Sequence, residues 1–245
     1  PASTSSPWPI DPRTQGVVQS IQTTLDRHPQ NSFVAHFAAD PPTTTLQRLK
    51  ALMTGVLPTF IDAGSNFGAT EIGEDNLLSQ LRSKLAAELG RPLNASLGMA
   101  FAGDDTWMNV FPTSFDQDAT WPYDSFNVED LDTVDQGVKV KLDEFLRAEQ
   151  NLHPDWRLLI THNLGLDHAG HRYGTSHPEL TRKLRELDEQ VSDILVSLPD
   201  DALFILMGDH GMDAHGDHGG DGELETGAGL FLYSKRDSIN SLSSV

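Results

Sequence analysis

The sequence predicts an α/β fold with a largely parallel central sheet flanked by helices. Three observations carry that prediction. Short apolar runs at 32–37, 97–101, 156–161, 202–207 and 229–233 alternate with longer stretches whose apolar residues recur at helical spacing. The run from Ala202 to Met207 is unbroken, as expected of a strand covered on both faces. Histidine-rich polar clusters directly follow two of the runs, and in such sheets ligands bind beyond the carboxyl ends of the strands.

In chain order, Pro1 to Pro9 read as loop. Asp11-Pro12 has the form of a helix N-cap followed by proline at the first helical position, and Val17, Val18, Ile21 and Leu25 continue a helical stripe. The run 32–37 is a strand candidate. Beyond Asp40-Pro41-Pro42, Leu46, Leu49 and Leu52/Met53 recur at helical spacing. Glu74 to Leu89 is predicted helical, with Gly90 as its stop. A strand over 97–101 and a charged helix over 128–150 follow. Ser176-His177-Pro178-Glu179 has capping-box spacing ahead of a stripe formed by Leu180, Leu184, Leu187, Val191 and Leu195. The runs 202–207 and 229–233 are the last two strands.

The totals limit the function classes. A chain of 245 residues with 38% hydrophobic and 22% charged residues suits one globular domain, read here as 1–245. A net charge of -19 argues against nucleic acid, because phosphate backbones recruit Lys and Arg. It is compatible with divalent cations. Cysteine is absent, so a bound metal has to use Asp, His, Glu or hydroxyl oxygens. No run approaches the roughly 18 apolar residues of a membrane span.

Seven of the ten histidines lie between His162 and His218, so the metal-binding residue types are concentrated behind two strands. One cluster is Gly165-Leu166-Asp167-His168-Ala169-Gly170-His171. The other runs from Met207 to Gly220 and holds Asp209, His210, His215, Asp217 and His218 among five glycines. Asp and His are good ligands for zinc or manganese, and the glycines let adjacent side chains diverge. A third element, Thr43-Thr44-Thr45, follows the 32–37 strand at the start of a helix. A threonine there is a ready N-cap, and the same place favours anions. A hydroxyl can also act as a nucleophile when a metal ion removes the obstacle of its high pKa.

These residues carry a resemblance. Asp167-x-x-x-His171, Asp209-His210 and Gly216-Asp217-His218-Gly219-Gly220 resemble the motifs of the alkaline phosphatase superfamily. Within it, "DPPTTTLQRLKALMTGVLPTFID" and "MGDHGMDAHGDHGGDGELETGAGLFLYS" resemble the glycosylphosphatidylinositol (GPI) ethanolamine phosphate transferases, in particular the type acting on the third mannose. The resemblance runs from about Asn31 to Ser234. It implies an alkaline phosphatase-like fold and two divalent metal ions, zinc or manganese. Asp167, His171 and His218 match the ligands of one ion, and Asp209 and His210 those of the other. Thr45 stands at the family's nucleophile-to-Thr-Gly distance from Thr54-Gly55, so it is preferred over Thr43 and Thr44. His168, Asp104, Asp105 and Trp107 are expected at the substrate, His168 near phosphate and the others near an ammonium group. For each of these four, a structural role is the competing reading. Asn94-Ala95-Ser96 is a glycosylation sequon.

The implied reaction moves phosphoethanolamine from phosphatidylethanolamine to a mannose hydroxyl of the GPI glycolipid precursor, through a threonine-linked intermediate. The implied setting is the lumenal face of the endoplasmic reticulum membrane, with membrane regions and a small membrane-protein partner outside this sequence. The family also carries a ligating aspartate in an Asp-(Ala/Gly)-Leu-Arg-like motif on an earlier strand. None precedes Thr45, and Asp11 reads as a cap. A fragment or shortened product, lacking an N-terminal strand and one ligand of the second ion, is therefore expected. A metal-dependent phosphodiesterase or phosphatase of the same fold, an inactive family member and a plain metal-binding module are the alternatives.

Overall fold

The structure is a computed structural model, and it describes residues 16–57, 72–146 and 155–239. The Asp11-Pro12 cap lies outside the described residues. The elements are α1 (Ser20–Arg27), β1 (Ser32–Ala38), α2 (Thr45–Thr54), α3 (Leu77–Leu89), β2 (Met99–Asp104), α4 (Thr106–Val110), β3 (Thr120–Tyr123), α5 (Thr133–Leu146), β4 (Leu158–His162), α6 (Gly165–Tyr173), α7 (Pro178–Ser197), β5 (Leu203–Met207), α8 (Glu223–Thr226) and β6 (Gly227–Ser234).

The alternation of strand and helix is as predicted. The strands form two three-stranded sheets. In the order β3-β2-β4 both pairs are parallel. In the order β1-β6-β5 both pairs are antiparallel. Parallel pairing thus accounts for one of the two sheets rather than for all strands. β3 had no signal in the periodicity because it is four residues long and contains Pro122. It pairs only with β2, and an edge is where a strand proline is tolerated.

β2 is the most deeply buried strand, with all six residues buried. Phe101 packs with Trp107 and Phe115 at ring separations of 5.6 and 5.3 Å. These rings join Leu49 of α2 and Leu78 and Leu85 of α3 in one core. A second core lies where Val138 and Leu142 of α5 and Ile194 of α7 meet Phe231 and Tyr233 of β6. Beneath the parallel sheet, the Asp116 carboxylate accepts hydrogen bonds from the N–H groups of Leu97, Gly98 and Met99 and from Arg82.

The unbroken run at 202–207 is not covered on both faces. Phe204 and Leu206 pack into the second core, whereas Leu203 and Ile205 are 58% and 53% exposed. The register places Ile205 beside Leu232 and Phe33, on the sheet face opposite Phe231. An apolar run reports hydrophobicity on both faces and says nothing of what lies against each.

Helix ends follow local chemistry. α3 begins with a capping box between Asn76 and Ser79 and ends at Gly90, whose φ of 61° is left-handed. α7 departs from expectation by one residue: His177, not Ser176, is the N-cap and accepts from the Glu179 N–H at 3.2 Å, with Pro178 at N1. The expected helix over 128–150 forms only from Thr133, because Asp130 caps it there through the N–H groups of Asp132 and Thr133.

Candidate metal centre

β4 ends at His162, and α6 starts three residues later, carrying Asp167 and His171 one helical turn apart on one face. β5 ends at Met207, and the loop after it carries Asp209, His210 and His218. These five residues converge. His218 Nε2 lies 3.3 Å from Asp167 Oδ1, His171 Nε2 3.4 Å from Asp167 Oδ2, and His210 Nε2 3.5 Å from Asp209 Oδ2. The rings of His210 and His218 stack at 3.8 Å, and those of His171 and His218 are 4.8 Å apart. Ligand atoms of Asp167, His210 and His218 all lie within 4.8 Å of one another. That group crosses the expected division, since His210 had been assigned with Asp209 to the other ion. His210 sits between the two carboxylates.

The hydrogen bonds set these side chains up as ligands. His210 Nδ1 faces the Gly211 carbonyl at 2.8 Å, and His218 Nδ1 faces the Thr43 carbonyl at 2.7 Å. A carbonyl only accepts, so these contacts assign the proton to Nδ1 and leave the Nε2 lone pair facing the cluster. Asp167 Oδ1 and Asp209 Oδ2 are buried and have no hydrogen-bond donor. Lone pairs from imidazoles and carboxylates thus meet at one place with no donor among them. A divalent cation satisfies that arrangement, and the all-nitrogen-and-oxygen donor set suits zinc or manganese.

The three threonines at the start of α2 are not equivalent. Thr43 is fully buried; its hydroxyl donates to the Gly220 carbonyl at 3.0 Å and accepts from the Gly219 N–H at 2.8 Å. Thr44 is the N-cap residue, yet its hydroxyl bonds the Gln47 side chain instead of capping an N–H. Thr45, at N1 and half-buried, has a hydroxyl with no protein partner among the described residues. Behind it, Arg48 is 1% exposed and spans the site from below. Its Nε donates to the Asp209 carbonyl at 2.9 Å and Nη1 to the Asp40 carbonyl at 3.0 Å. Burial lowers the Arg48 pKa from its usual value, against the opposing pull of Asp40 and Asp209.

Other groups hold the two ligand-bearing segments. The first N–H groups of α6, Leu164 and Gly165, donate to Asp135 Oδ1, and Asp135 Oδ2 pairs with Lys183 at 2.7 Å. Burial opposes the Lys183 charge, but Asp135 and Glu186 outweigh it and raise its pKa. In the β5 loop, a Cβ on Gly216 would lie 1.9 Å from the Gly170 carbonyl, and its φ of +93° suits only glycine. The loop therefore packs backbone to backbone on α6, bringing His218 to Asp167. Glu225 closes the loop by accepting from the N–H groups of Gly220 and Gly222. Asp135, Lys183 and Arg48 were missed as residues supporting the site because their partners are as many as 161 residues away in sequence.

Four expected substrate residues lie outside the cluster. His168 is 3% exposed, and both its ring nitrogens face backbone carbonyls, Asp130 at 2.9 Å and Ser125 at 3.2 Å. On a helix it points about 100° away from Asp167, toward the loop between β3 and α5. Asp104 is buried and accepts from the Thr106 N–H at 2.7 Å. Asp105 accepts from Ser125. Trp107 is buried among phenylalanines, its indole N–H donating to His162 Nδ1 at 2.9 Å. The structural role prevails in these contacts. Asn94 is exposed in the turn before β2. His215 is exposed in the loop, where its N–H donates to Asp213, and Asp217 lies 3.8 Å from His171.

Residues 81–222, more than half of the chain, match the family model described as type I phosphodiesterase / nucleotide pyrophosphatase. The chain belongs to that family. Among curated relatives, it is 46% identical over 224 residues to GPI ethanolamine phosphate transferase 3, catalytic subunit, of Homo sapiens, covering 89% of this chain and 18% of that protein. It is 48% identical over 209 residues to GPI ethanolamine phosphate transferase 3 of Saccharomyces cerevisiae, covering 85% of this chain and 19% of that protein. The transferase 2 catalytic subunit of Homo sapiens is 37% identical over 218 residues. The chain thus spans under a fifth of the length of these two transferase 3 relatives. A solved protein of the alkaline phosphatase superfamily from Vibrio parahaemolyticus superposes with a TM-score of 0.52 at 14% identity, covering 90% of this chain and 57% of that one. The fold is therefore alkaline phosphatase-like.

Proposed function

We propose that this chain carries the nucleophile and metal ligands of a phosphoethanolamine transferase acting in GPI-anchor synthesis. The observation that carries the reading is the free hydroxyl of Thr45, one helical residue beyond a segment bonded directly to the ligand loop. The naming of the relatives supports ethanolamine phosphate as the group moved and GPI as the acceptor class; on this reading phosphatidylethanolamine is the donor and a mannose hydroxyl the accepting group. The setting on this reading is the lumenal side of the endoplasmic reticulum membrane, with the membrane part and a small membrane-protein partner supplied outside this chain.

Asp167, His171, His210, His218 and Asp209 would hold two divalent ions, zinc in the first instance. Bound there, such ions lower the pKa of a hydroxyl and neutralise charge on phosphoryl oxygens. The Thr45 oxygen forms a bond to phosphorus as the bond from phosphorus to the diacylglycerol oxygen breaks. The hydroxyl proton leaves Thr45, and the departing diacylglycerol oxygen gains one. The acceptor mannose hydroxyl then loses its proton and bonds to the same phosphorus as the bond to the Thr45 oxygen breaks, and the Thr45 oxygen regains a proton. The N–H groups of Thr45 and Leu46 at the start of α2 would lie toward the anionic group, and Arg48 keeps that turn fixed to the Asp209 loop.

The test is intact mass spectrometry after incubation with zinc and a short-chain phosphatidylethanolamine, without acceptor. Wild type and Thr44→Val should gain one phosphoethanolamine, and Thr45→Val none. An adduct that persists in Thr45→Val overturns the nucleophile assignment. The family match favours one second reading, in which water takes the group instead of a sugar hydroxyl. Release of free phosphoethanolamine that a mannoside acceptor does not suppress would establish it.

A further inference from the structure

The loop 124–130, between β3 and α5, has a rigidity that the reaction does not explain. Ser125 donates through its N–H and Oγ to Asp105 Oδ1, at 3.3 and 2.6 Å. The His168 ring bridges the carbonyls of Ser125 and Asp130. The Phe126 N–H donates to Asp124 Oδ1 at 2.9 Å, and the Val128 N–H to the Phe126 carbonyl at 3.1 Å. Arg172 of α6 donates to the Glu129 carbonyl at 3.0 Å and pairs with its carboxylate at 2.7 Å. The hydroxyl and N–H of Thr133, and then the N–H of Asp132, hold the Asp130 carboxyl at about 2.

This bracing holds an apolar side chain away from the protein. Phe126 is 81% exposed, the most exposed large hydrophobic residue described. Val128 is 44% and Tyr173 38% exposed, and the Arg172 guanidinium lies 5.0 Å over the Tyr173 ring. A single exposed phenylalanine is ordinary. Here three apolar side chains are fixed on the loop that leaves the carboxyl end of β3 and on α6, the helix that carries Asp167 and His171. They therefore stand at the same end of the sheet as the metal ligands. The carboxylates among them, Asp124 and Glu129, are exposed.

We propose that Phe126, Val128 and Tyr173 form an interfacial contact that rests on a zwitterionic bilayer, with Asp124 facing ethanolamine ammonium groups and Glu129 held by Arg172. The inference rests on the reading that the donor is a membrane lipid. Aromatic side chains with a polar neighbour suit the headgroup level, and carboxylates favour ammonium-bearing lipids over anionic ones. The rigid loop presents the contact without an ordering cost on binding.

Vesicle flotation of the whole chain tests this. Wild type should float with vesicles of phosphatidylcholine and phosphatidylethanolamine, and less when phosphatidylglycerol replaces the phosphatidylethanolamine. Phe126→Ser should weaken partitioning on the order of tenfold, as expected for losing one aromatic contact. Zinc content serves as the folding control and should be unchanged. Equal flotation of Phe126→Ser and wild type, no flotation of either, or tighter binding to the anionic vesicles would each overturn the proposal. A short-chain soluble donor separates this proposal from the proposed function. A Thr45 adduct without Phe126-dependent flotation refutes the interface alone. Phe126-dependent flotation without an adduct refutes the transferase reading alone.

Discussion

Thr43 and Thr45 differ by two positions, and the structure assigns them opposite sensitivities. Thr43→Val removes a hydroxyl with little change of shape. It leaves the half-buried Gly219 N–H, now 2.8 Å from that oxygen, without this acceptor. An orphaned buried N–H costs about 1–3 kcal/mol. The Gly220 carbonyl loses the hydroxyl but keeps the Thr43 N–H at 3.3 Å, so that side adds less. Because Gly219 is half-buried, the loss falls at the low end of that range, about 1–2 kcal/mol. Gly219 adjoins His218, whose Nδ1 is held by the Thr43 carbonyl, so the ligand loop loosens with it. Loss of a group that orients a ligand lowers metal affinity roughly 10- to 100-fold. Thr45→Val breaks no hydrogen bond, so its stability should change by less than about 0.5 kcal/mol and its zinc affinity little. Urea unfolding of the metal-free chains measures the first quantity, and calorimetric zinc titration the second. If Thr43→Val unfolds and binds zinc as wild type does, the account of the Thr43 hydroxyl as the tie between α2 and the ligand loop is refuted.

Three further outcomes are expected. Asp116→Asn should destabilise the fold by about 3 kcal/mol, because it breaks a buried pair with Arg82 and a triple N–H contact. Burial alone would raise the Asp116 pKa, but the N–H groups and Arg82 outweigh it and the net shift is downward. Its contribution is therefore complete above the unfolded carboxyl value of about 3.9 and is lost as pH falls through the lower folded value. Acid unfolding followed by circular dichroism should show that loss in wild type and a flatter profile in Asp116→Asn. Lys183→Met should cost about 3–5 kcal/mol by leaving Asp135 unpaired. It should also weaken zinc binding, since Asp135 holds the start of α6; unaltered zinc affinity would count against that coupling. Gly216→Ala should lower zinc affinity more than it lowers the stability of the metal-free chain, because its Cβ collides with the Gly170 carbonyl at the junction of the two ligand segments. Zinc titration beside urea unfolding compares the two losses.

The local features were legible because they depend on neighbours in the chain. The strand starting at Ser32, the helix ending at Gly90 and the stripe from Leu180 to Leu195 are matters of periodicity and end signals. The histidine-rich loop after Met207 showed its residue types and its glycines in fourteen consecutive positions. The motifs around Thr45, Asp167 and Asp209 were long enough to indicate the family.

Strand direction, burial on each face and the partners of polar side chains needed the tertiary structure. A sequence records that Ile205 and Leu206 are both apolar, but only packing shows Leu206 in a core and Ile205 half exposed. His168 carries the same ligand-type side chain as His171, and a rotation of three residues around α6 turns it to backbone carbonyls instead of the cluster. The hydrogen bonds that set Thr43 apart from Thr45 reach to Gly219 and Gly220. The sequence by itself determined which chemistry the chain carries, because residue types and periodicity are local. The tertiary structure decided which of those atoms meet, because hydrogen bonds and lone pairs are matched between segments that the sequence keeps far apart.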